Sequence, residues 1–425
     1  MADDTSAALA GPARGHGGAP PAAGPRPAPT VTAPGTTAST AVGSTATAAA
    51  PAVPGPRRPG PGLPPPAGPT RPQRELVHSI EWLLADFLTG EVAELAALDP
   101  ALGEFARVAR DAVLAGGKRL RPTFAYWGWR GMAGARPPVG PLLPALAALE
   151  LLHAFALVHD DVMDASATRR GRPTAHERFA AAHRARRHRG DPGRFGDAAG
   201  VLVGDLCLVW ADRLMATAAV PPTVLLAARR SYDRMRVEAV AGQYLDVLGE
   251  AAPGHWSLDR ALRVARHKTA SYTVAHPLDF GAELAGAHPR PDATAVRVAY
   301  RRYGRAVGEA FQLRDDLLGV YGDPRLTGKP TGDDLRSGKP TALLMLARQL
   351  ASRAQRAELD RAEAGPAALA RRAAVVEETG AVSRLEQLID DRVGAAVTAL
   401  DAAPLDPPVR AALTGLARAA TNRRA

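Results

Sequence analysis

Three aspartates fall within five residues in the run HDDVMD: Asp160, Asp161 and Asp164. In a helix Asp160 and Asp164 stand one turn apart and share a face. Like charges at that spacing repel, and no Lys or Arg in the same turn offsets them. A bound divalent cation turns the repulsion into coordination. Mg²⁺ suits such a place, because it takes one or two carboxylates and completes its shell with water and phosphate oxygens. The plain alternative is a solvated helix end. Two features weigh against it. The preceding residues, from Leu142 to Val158, are apolar except for Glu150 and His153. The helix dipole also disfavours carboxylates at a C-terminus.

Further patches fit the same chemistry. GGKRLRP, from Gly116 to Pro122, places Lys118, Arg119 and Arg121 at a helix junction whose glycines admit close approach. A lysine point charge and an arginine fork both suit a diphosphate, and the spacing is not that of a Walker A loop. Arg169 and Arg170 follow the aspartates and bring positive charge beside them. Lys268-Thr269 offers an ammonium and a hydroxyl inside a helical region. Phe311-Gln312 with Asp315-Asp316 makes a second acidic helix end, followed by Lys329 and Lys339 in a glycine-bearing loop. Two acidic helix ends facing each other across a cavity would let several Mg²⁺ ions grip one diphosphate, with lysines at the rim sharing its charge.

Helices must position these groups. Of 425 residues 46% are hydrophobic and only 5% aromatic, so Leu, Ala and Val build the core, a composition that favours helix. No alternating strand and no repeat stand out. Helices are expected over 75–97 and 101–115, the second stopped by Gly116 and Gly117. The next starts around Pro122. The central one runs from Leu142 to Asp164 as a buried core helix. Others are expected over 198–218, 222–249, 257–286 and 291–320, with amphipathic helices over 341–424. The arginine-rich run from Arg178 to Arg194 reads as a solvated excursion. Residues 1–74 are mostly Ala, Pro, Gly, Thr and Ser, with no aromatic residue and no isoleucine. They read as a disordered extension, ahead of an all-α catalytic domain over 75–425.

The formal charge of +10 admits anionic substrates or surfaces. The arginines are not interleaved with aromatics as single-strand binding needs, so no nucleic-acid partner is expected. Cys207 is the one cysteine. It excludes an intramolecular disulfide and a multi-cysteine zinc site, sits in an apolar run as a core residue, and fits a reducing compartment. The N-terminus lacks the apolar stretch of a signal peptide. The 142–158 run is short for a bilayer and holds Pro144, Glu150 and His153, so no stable membrane insertion is expected.

Taken in order, GGKRLRP, HDDVMD with RRGRPT, KT, and FQLRDD with GKPTGDDLRSGKPT resemble the motifs of trans-isoprenyl diphosphate synthases, the polyprenyl synthetase family. The resemblance covers roughly residues 75–425. It implies a bundle of long helices around a deep central cavity, usually a homodimer, in the cytoplasm. It implies an isopentenyl diphosphate site at Lys118, Arg121, His153 and Arg170. Arg169, Lys268, Thr269, Gln312 and Lys329 match positions that hold an allylic diphosphate. Asp160, Asp161 and Asp164 match the first Mg²⁺-binding motif, and Asp315 and Asp316 the second, with three ions per site. Those five aspartates and Lys268 form the catalytic set. The second motif departs from the fuller DDxxD pattern: Gly319 stands where the last aspartate belongs. Asp323 is the residue expected to compensate, through water.

The implied reaction ionises the allylic C–O bond, adds the isopentenyl double bond to the allylic cation, and loses a proton, with an apolar cavity keeping water away. Chain length is expected to depend on residues about a turn before the first motif. Phe155 with its small neighbour Ala156 resembles the floor of geranylgeranyl diphosphate synthases; farnesyl or longer products are the alternative. A class I terpene cyclase shares the aspartate helix but needs no isopentenyl site, and no clear (N/D)xx(S/T)xxxE motif is present. A silent partner subunit would not need Asp160, Asp161 and Asp164 intact. A membrane-surface protein explains none of the motifs.

Overall fold

The computed structural model describes residues 70–133, 138–286, 290–323, 332–361, 363 and 365–422, all within the compact unit Val53–Ala425. Most of the expected extension, and Lys329, lie outside the described residues. Helix α1 (Arg71–Leu98) begins slightly before the expected Glu75 because Pro72 serves its first turn, where a missing N–H is harmless. Helix α2 (Pro100–Leu114) is capped by Asp99, whose side chain accepts from Ala101 N. Gly116 and Gly117 at φ +87° and +140° turn the chain into α3 (Leu120–Met132).

The central helix, α4 (Leu143–Met163), has buried residues all round from Ala145 to Leu152, as its apolar sequence requires. It packs against α1 and α2, α5 (Ala175–Ala185) and α6 (Pro192–Ala216). The span Gly140–Met163 is long and apolar enough to cross a membrane, yet 61% of its most apolar 18-residue stretch is buried within the fold. Leu146, Leu149 and Leu151 share one core with Ile80, Leu84, Cys207 and Trp210. Burial pushes the Cys207 thiol up to about 12, so it is an inert core residue, as expected.

Two local expectations are corrected. The arginine-rich run is in part a helix: α5 buries Ala180 and His183 while its arginines reach outward. Arg178 pairs with Asp111 at 3.1 Å and Arg186 with Glu104 at 2.7 Å. Its alternation of alanine and arginine gave a half-apolar face that charge density hid. There is also a minimal β-ribbon, β1 (Thr168–Arg169) against β2 (Arg172–Pro173), antiparallel, with Arg169 opposite Arg172. Arg170 and Gly171 both have positive φ, the two-residue turn that suits a right-twisted hairpin.

The second half of the bundle contains α7 (Pro222–Ala251), α8 (Leu258–Ala265), a π-helical segment (Arg266–Ala275), α9 (His276–Leu284) and α10 (Ala293–Tyr321). After the gap come α11 (Asp333–Ser337), α12 (Ala342–Leu350), α13 (Arg353–Leu359), α14 (Pro366–Glu378), α15 (Ala381–Asp401) and α16 (Pro407–Thr421). The π segment is clamped between α7 and α10 by glycines. A Cβ on Gly242 would lie 2.3 Å from the Lys268 nitrogen, and one on Gly308 would lie 2.5 Å from the Ala270 Cα. Only glycine lets three backbones approach so closely.

Candidate active site

Asp160 and Asp161 lie in the last turn of α4, and Asp164 caps it, its N–H donating to Asp160 O at 2.8 Å. Ala165 then takes φ +48°, an uncommon choice for a residue with a Cβ, and Ser166 N donates back to Asp161 O at 2.9 Å. This sharp exit sends the chain into the ribbon and returns Arg169 over the aspartates. The Arg169 guanidinium reaches Asp161 Oδ1 at 2.6 Å through Nη2 and 2.7 Å through Nε, and Asp160 Oδ2 at 3.3 Å. The other Asp160 oxygen accepts from Lys268 Nζ at 3.1 Å and Gln243 Nε2 at 3.2 Å.

A second relay follows. Lys268 Nζ also meets Asp246 Oδ2 at 2.5 Å, and Lys339 Nζ meets the same oxygen at 2.6 Å. Burial opposes charge on Asp246, but Lys268 and Lys339 outweigh it and hold its carboxyl below the ordinary range. Burial likewise opposes charge on Lys339. Asp246, Asp164, Asp334 and Asp160 outweigh it and push the ammonium well above its usual value. Lys339 therefore lies among the acidic end of α4, Asp246 and Asp334. On α10, Asp316 accepts from Gln312 Nε2 at 2.8 Å and from Ala342 N at 2.9 Å. Burial, more than the nearby charges of Asp334 and Asp315, pushes Asp316 up to about 7.

The basic pocket is a separate cluster. Arg121 is buried, lays its guanidinium 4.2 Å over the Tyr272 ring and donates to Thr273 Oγ1 at 2.9 Å. His153 lies 6.3 Å from the same ring. Arg170 donates to Gly116 O and so closes the ribbon over the Gly116–Lys118 turn, where Lys118 is exposed. Arg121 Nε, His153 Nδ1 and Tyr272 Oη are buried without a hydrogen-bond partner among the described residues. Buried polar atoms left without a partner in one cluster are candidates for contact with a polar ligand. Burial, then Arg121 and Arg170, holds the His153 imidazole well below its usual 6.5, so it is neutral and positive charge dominates.

Of the expected residues, Arg121 and Arg170 lie near His153, Lys118 is exposed on the turn that Arg170 closes, and Asp160, Asp161, Arg169 and Lys268 form a second cluster; Gln312 pairs with Asp316 on α10, and Lys329 lies outside the described residues. Thr269 sits beside Lys268 on the π segment, half-buried. Arg119 is different from its neighbours. It is buried against Glu150 Oε2 at 2.8 Å and Val113 O at 3.3 Å, which explains the lone acid inside α4 and makes both structural. Gln243, Asp246 and Tyr272 were not expected. Gln243, Asp246 and Glu250 follow a helical i, i+3, i+7 pattern on α7, a polar stripe that the sequence does carry.

A cavity of about 330 Å³ opens beside α4, lined by Val108, Ala112, Leu157, Val158, Asp161, Arg169 and Arg170 among others. Phe155 and Ala156 are not in its lining. The half-buried Phe155 ring packs edge-on against His159 at 4.8 Å, and His159 Nε2 lies 2.9 Å from Val201 O on α6.

The donor set suits a hard cation: its anionic groups are carboxylates, with no thiolate. Among the described residues no three acidic, histidine or cysteine side chains converge tightly enough to hold a metal by themselves. Arg169 and Lys268 meanwhile neutralise the first motif.

The acidic end of α4, bridged by Arg169 and Lys268, and the basic cluster of Arg121, His153 and Arg170 lie within one all-α bundle. A polyprenyl synthetase family model matches residues 103–378. The chain is 35% identical over 297 residues to a geranylgeranyl diphosphate synthase of Mycobacterium tuberculosis, across 68% of this chain and 77% of that protein. It is 33% identical over 279 residues to a geranylfarnesyl diphosphate synthase of Aeropyrum pernix, across 64% and 80% respectively. The crystal structure of a geranylgeranyl pyrophosphate synthase from Corynebacterium glutamicum, complexed with isoprenyl diphosphate and magnesium, matches with a TM-score of 0.77. Its identity is 37%, covering 82% of this chain and 99% of that one. The chain belongs to the polyprenyl synthetase family and is a prenyltransferase of the isoprenyl diphosphate synthase type.

Proposed function

We propose that the protein condenses isopentenyl diphosphate with an allylic diphosphate (dimethylallyl, geranyl or farnesyl) to give a trans-polyprenyl diphosphate, geranylgeranyl diphosphate above all. The observation that carries this reading is the pair of adjacent clusters. One is a basic pocket with unpartnered buried polar atoms at Arg121, His153 and Tyr272. The other is an acidic helix end bridged by Arg169 and Lys268.

In this reading Lys118, Arg121, His153 and Arg170 bind isopentenyl diphosphate. A neutral His153 donates or accepts a hydrogen bond without adding charge. Arg169, Lys268, Thr269, Gln312 and Lys329 hold the allylic diphosphate. Asp160, Asp161, Asp164, Asp315 and Asp316 would hold Mg²⁺, three ions in this reading, and the metal would supply the positive charge that a departing diphosphate needs. Lys268 and Arg169, which partner Asp160 here, would be free to bind the leaving oxygens once metal took their place. The apolar flank of α4 excludes water from the allylic cation. The released diphosphate is the base that takes the proton.

Product length is assigned to Phe155 and Ala156 by resemblance, and two of the similar proteins are named as geranylgeranyl synthases. The geranylfarnesyl synthase relative keeps a longer product in play. A homodimer is supported by apolar side chains left exposed on α6 and α7, among them Leu202, Val209, Val240 and Tyr244, a patch of the kind that subunit contacts cover. The reduced single thiol suits the cytoplasm. The deciding experiment is incubation of the purified protein and Mg²⁺ with isopentenyl diphosphate and each allylic primer, followed by product chromatography. A product of four isoprene units is expected. No elongation of any primer overturns the reading.

A further inference from the structure

The stretch from Arg178 to Arg194 holds six arginines and one acid, Asp191, and so carries a net +5 with histidine neutral, half the formal charge of the chain. It spans the end of α5, a tight turn and the start of α6, and no residue of the site described above belongs to it. Three of its arginines face carboxylates of the fold: Arg178 pairs with Asp111 at 3.1 Å, Arg186 with Glu104 at 2.7 Å, and Arg184 lies 3.8 Å from Glu177. Arg187, Arg189 and Arg194 are exposed, and their side chains have no partner among the described residues. The one acid of the stretch is engaged as well, since Asp191 Oδ1 accepts from Arg194 N at 2.7 Å and caps α6.

The turn that carries these arginines is tied down. His183 is buried; its Nε2 lies 3.0 Å from Arg189 O, and its carbonyl accepts from His188 N at 3.2 Å. Its ring packs on that of His188, with centroids 5.6 Å apart, and on that of Phe195 at 5.0 Å. Arg187 takes φ +52° and Gly190 φ +95°, which reverses the chain within a few residues. The hairpin is rooted on the central helix. A Cβ on Gly196 would lie 2.4 Å from His176 O, and one on Gly200 would lie 2.8 Å from Val162 Cγ2, in the last turn of α4. Three guanidiniums therefore stand on a fixed turn with no carboxylate to offset them, and an anionic partner is what would relieve their repulsion.

The chemistry of the turn selects the partner. Single-stranded nucleic acid needs aromatic rings interleaved with the charge, and the one exposed phenylalanine here, Phe195, already packs on His183 and Phe179. A duplex is read by a helix or ribbon that enters a groove, whereas these arginines sit on a turn. A bilayer of anionic headgroups is a broad surface that several arginines of one turn can meet together. We propose that the α5–α6 turn docks the protein, without insertion, on an anionic phospholipid bilayer through Arg187, Arg189 and Arg194. The docking surface goes beyond the synthase reading and gains a use from it. A diphosphate carrying four isoprene units is an amphiphile, and docking releases it beside the phase that dissolves its tail.

The test is sedimentation of the full chain with vesicles of equimolar phosphatidylcholine and phosphatidylglycerol, against vesicles of phosphatidylcholine alone. The wild type should bind the anionic vesicles and not the neutral ones. Raising salt from about 0.1 M to about 1 M should release it, as the screening length falls from about 10 Å to about 3 Å. Arg187→Ser/Arg189→Ser/Arg194→Ser should bind about a hundredfold more weakly, the combined weight of three basic side chains at such a surface. Its melting temperature and its elongation of soluble primers should be unchanged. Arg187→Lys/Arg189→Lys/Arg194→Lys keeps the charge and should bind within about fivefold of wild type. Arg302→Ser/Arg353→Ser/Arg384→Ser removes the same charge from exposed positions on α10, α13 and α15 and should also stay within about fivefold. A wild type that does not distinguish the two vesicles overturns the proposal, and so do two serine triples weakened alike. Tighter binding to duplex DNA than to the anionic vesicles overturns it too. A protein that binds anionic vesicles but elongates no primer would remove the synthase reading and leave the docking surface standing.

Discussion

At the scale of single residues, the site is a set of charges that already have partners. Asp160 accepts from Arg169, Lys268 and Gln243 at once. Replacing it with alanine would remove a proposed Mg²⁺ ligand and leave Lys268 to Asp246 alone. Turnover should fall at least about a hundredfold, measured as product formed at saturating substrates; a loss under tenfold would refute its role. His153 makes a pH prediction. Its folded pKa is depressed below the unfolded 6.5, so below that pH the unfolded chain binds a proton that the folded chain refuses. Stability from this group is intact at pH 7 and lost as pH falls below about 6.5. The melting temperature of the ligand-free protein should drop between pH 7 and 5. His153→Gln should flatten that slope, and an equal slope in both proteins would show that His153 is not the group responsible.

At the scale of elements, the sequence made the helices legible because their apolar periodicity is local. The acidic ends of α4 and α10, the basic turn at Lys118 and the arginines after Asp164 could be picked out for the same reason: each is a short run of one charge. What could not be read was pairing across sequence distance. Asp246 gains meaning only once the π segment sets Lys268 2.5 Å from it. The π segment shows the physical basis, since its position depends on Gly242 and Gly308 of two other helices. Gly242→Ala should push Lys268 away from Asp160. The overpacking should cost about 1–3 kcal/mol of stability and lower kcat beyond that. Unchanged kcat in a folded variant would show that the clamp does not place the lysine. Phe155 belongs to this scale too. Phe155→Ala should lengthen the product if its ring closes the path of the growing tail. An unchanged length would leave it as packing against His159.

At the scale of the whole molecule, α4 joins the two chemistries, since one helix carries His153 to the basic pocket and Asp160 to the acidic cluster. The outer faces of α6 and α7 carry the apolar side chains that a second copy would cover. Val209→Glu, at a side chain 61% exposed, should leave the monomer folded and weaken self-association. Sedimentation would read this as a shift to the monomer mass, and no shift would place the contact elsewhere.

The pairing of Asp160, Asp161 and Asp246 with Arg169, Lys268 and Lys339 has one more consequence. The resting cleft is an internal salt, each fixed anion holding a fixed counterion. In the proposed reading, a diphosphate arriving with Mg²⁺ would perform an ion exchange, with the guanidinium and ammonium groups turning to it as partners. Few mobile ions are displaced from the cleft, because its counterions are tethered. Affinity for the substrate pair should therefore depend on salt far less than the chain's net charge of +10 would lead one to expect.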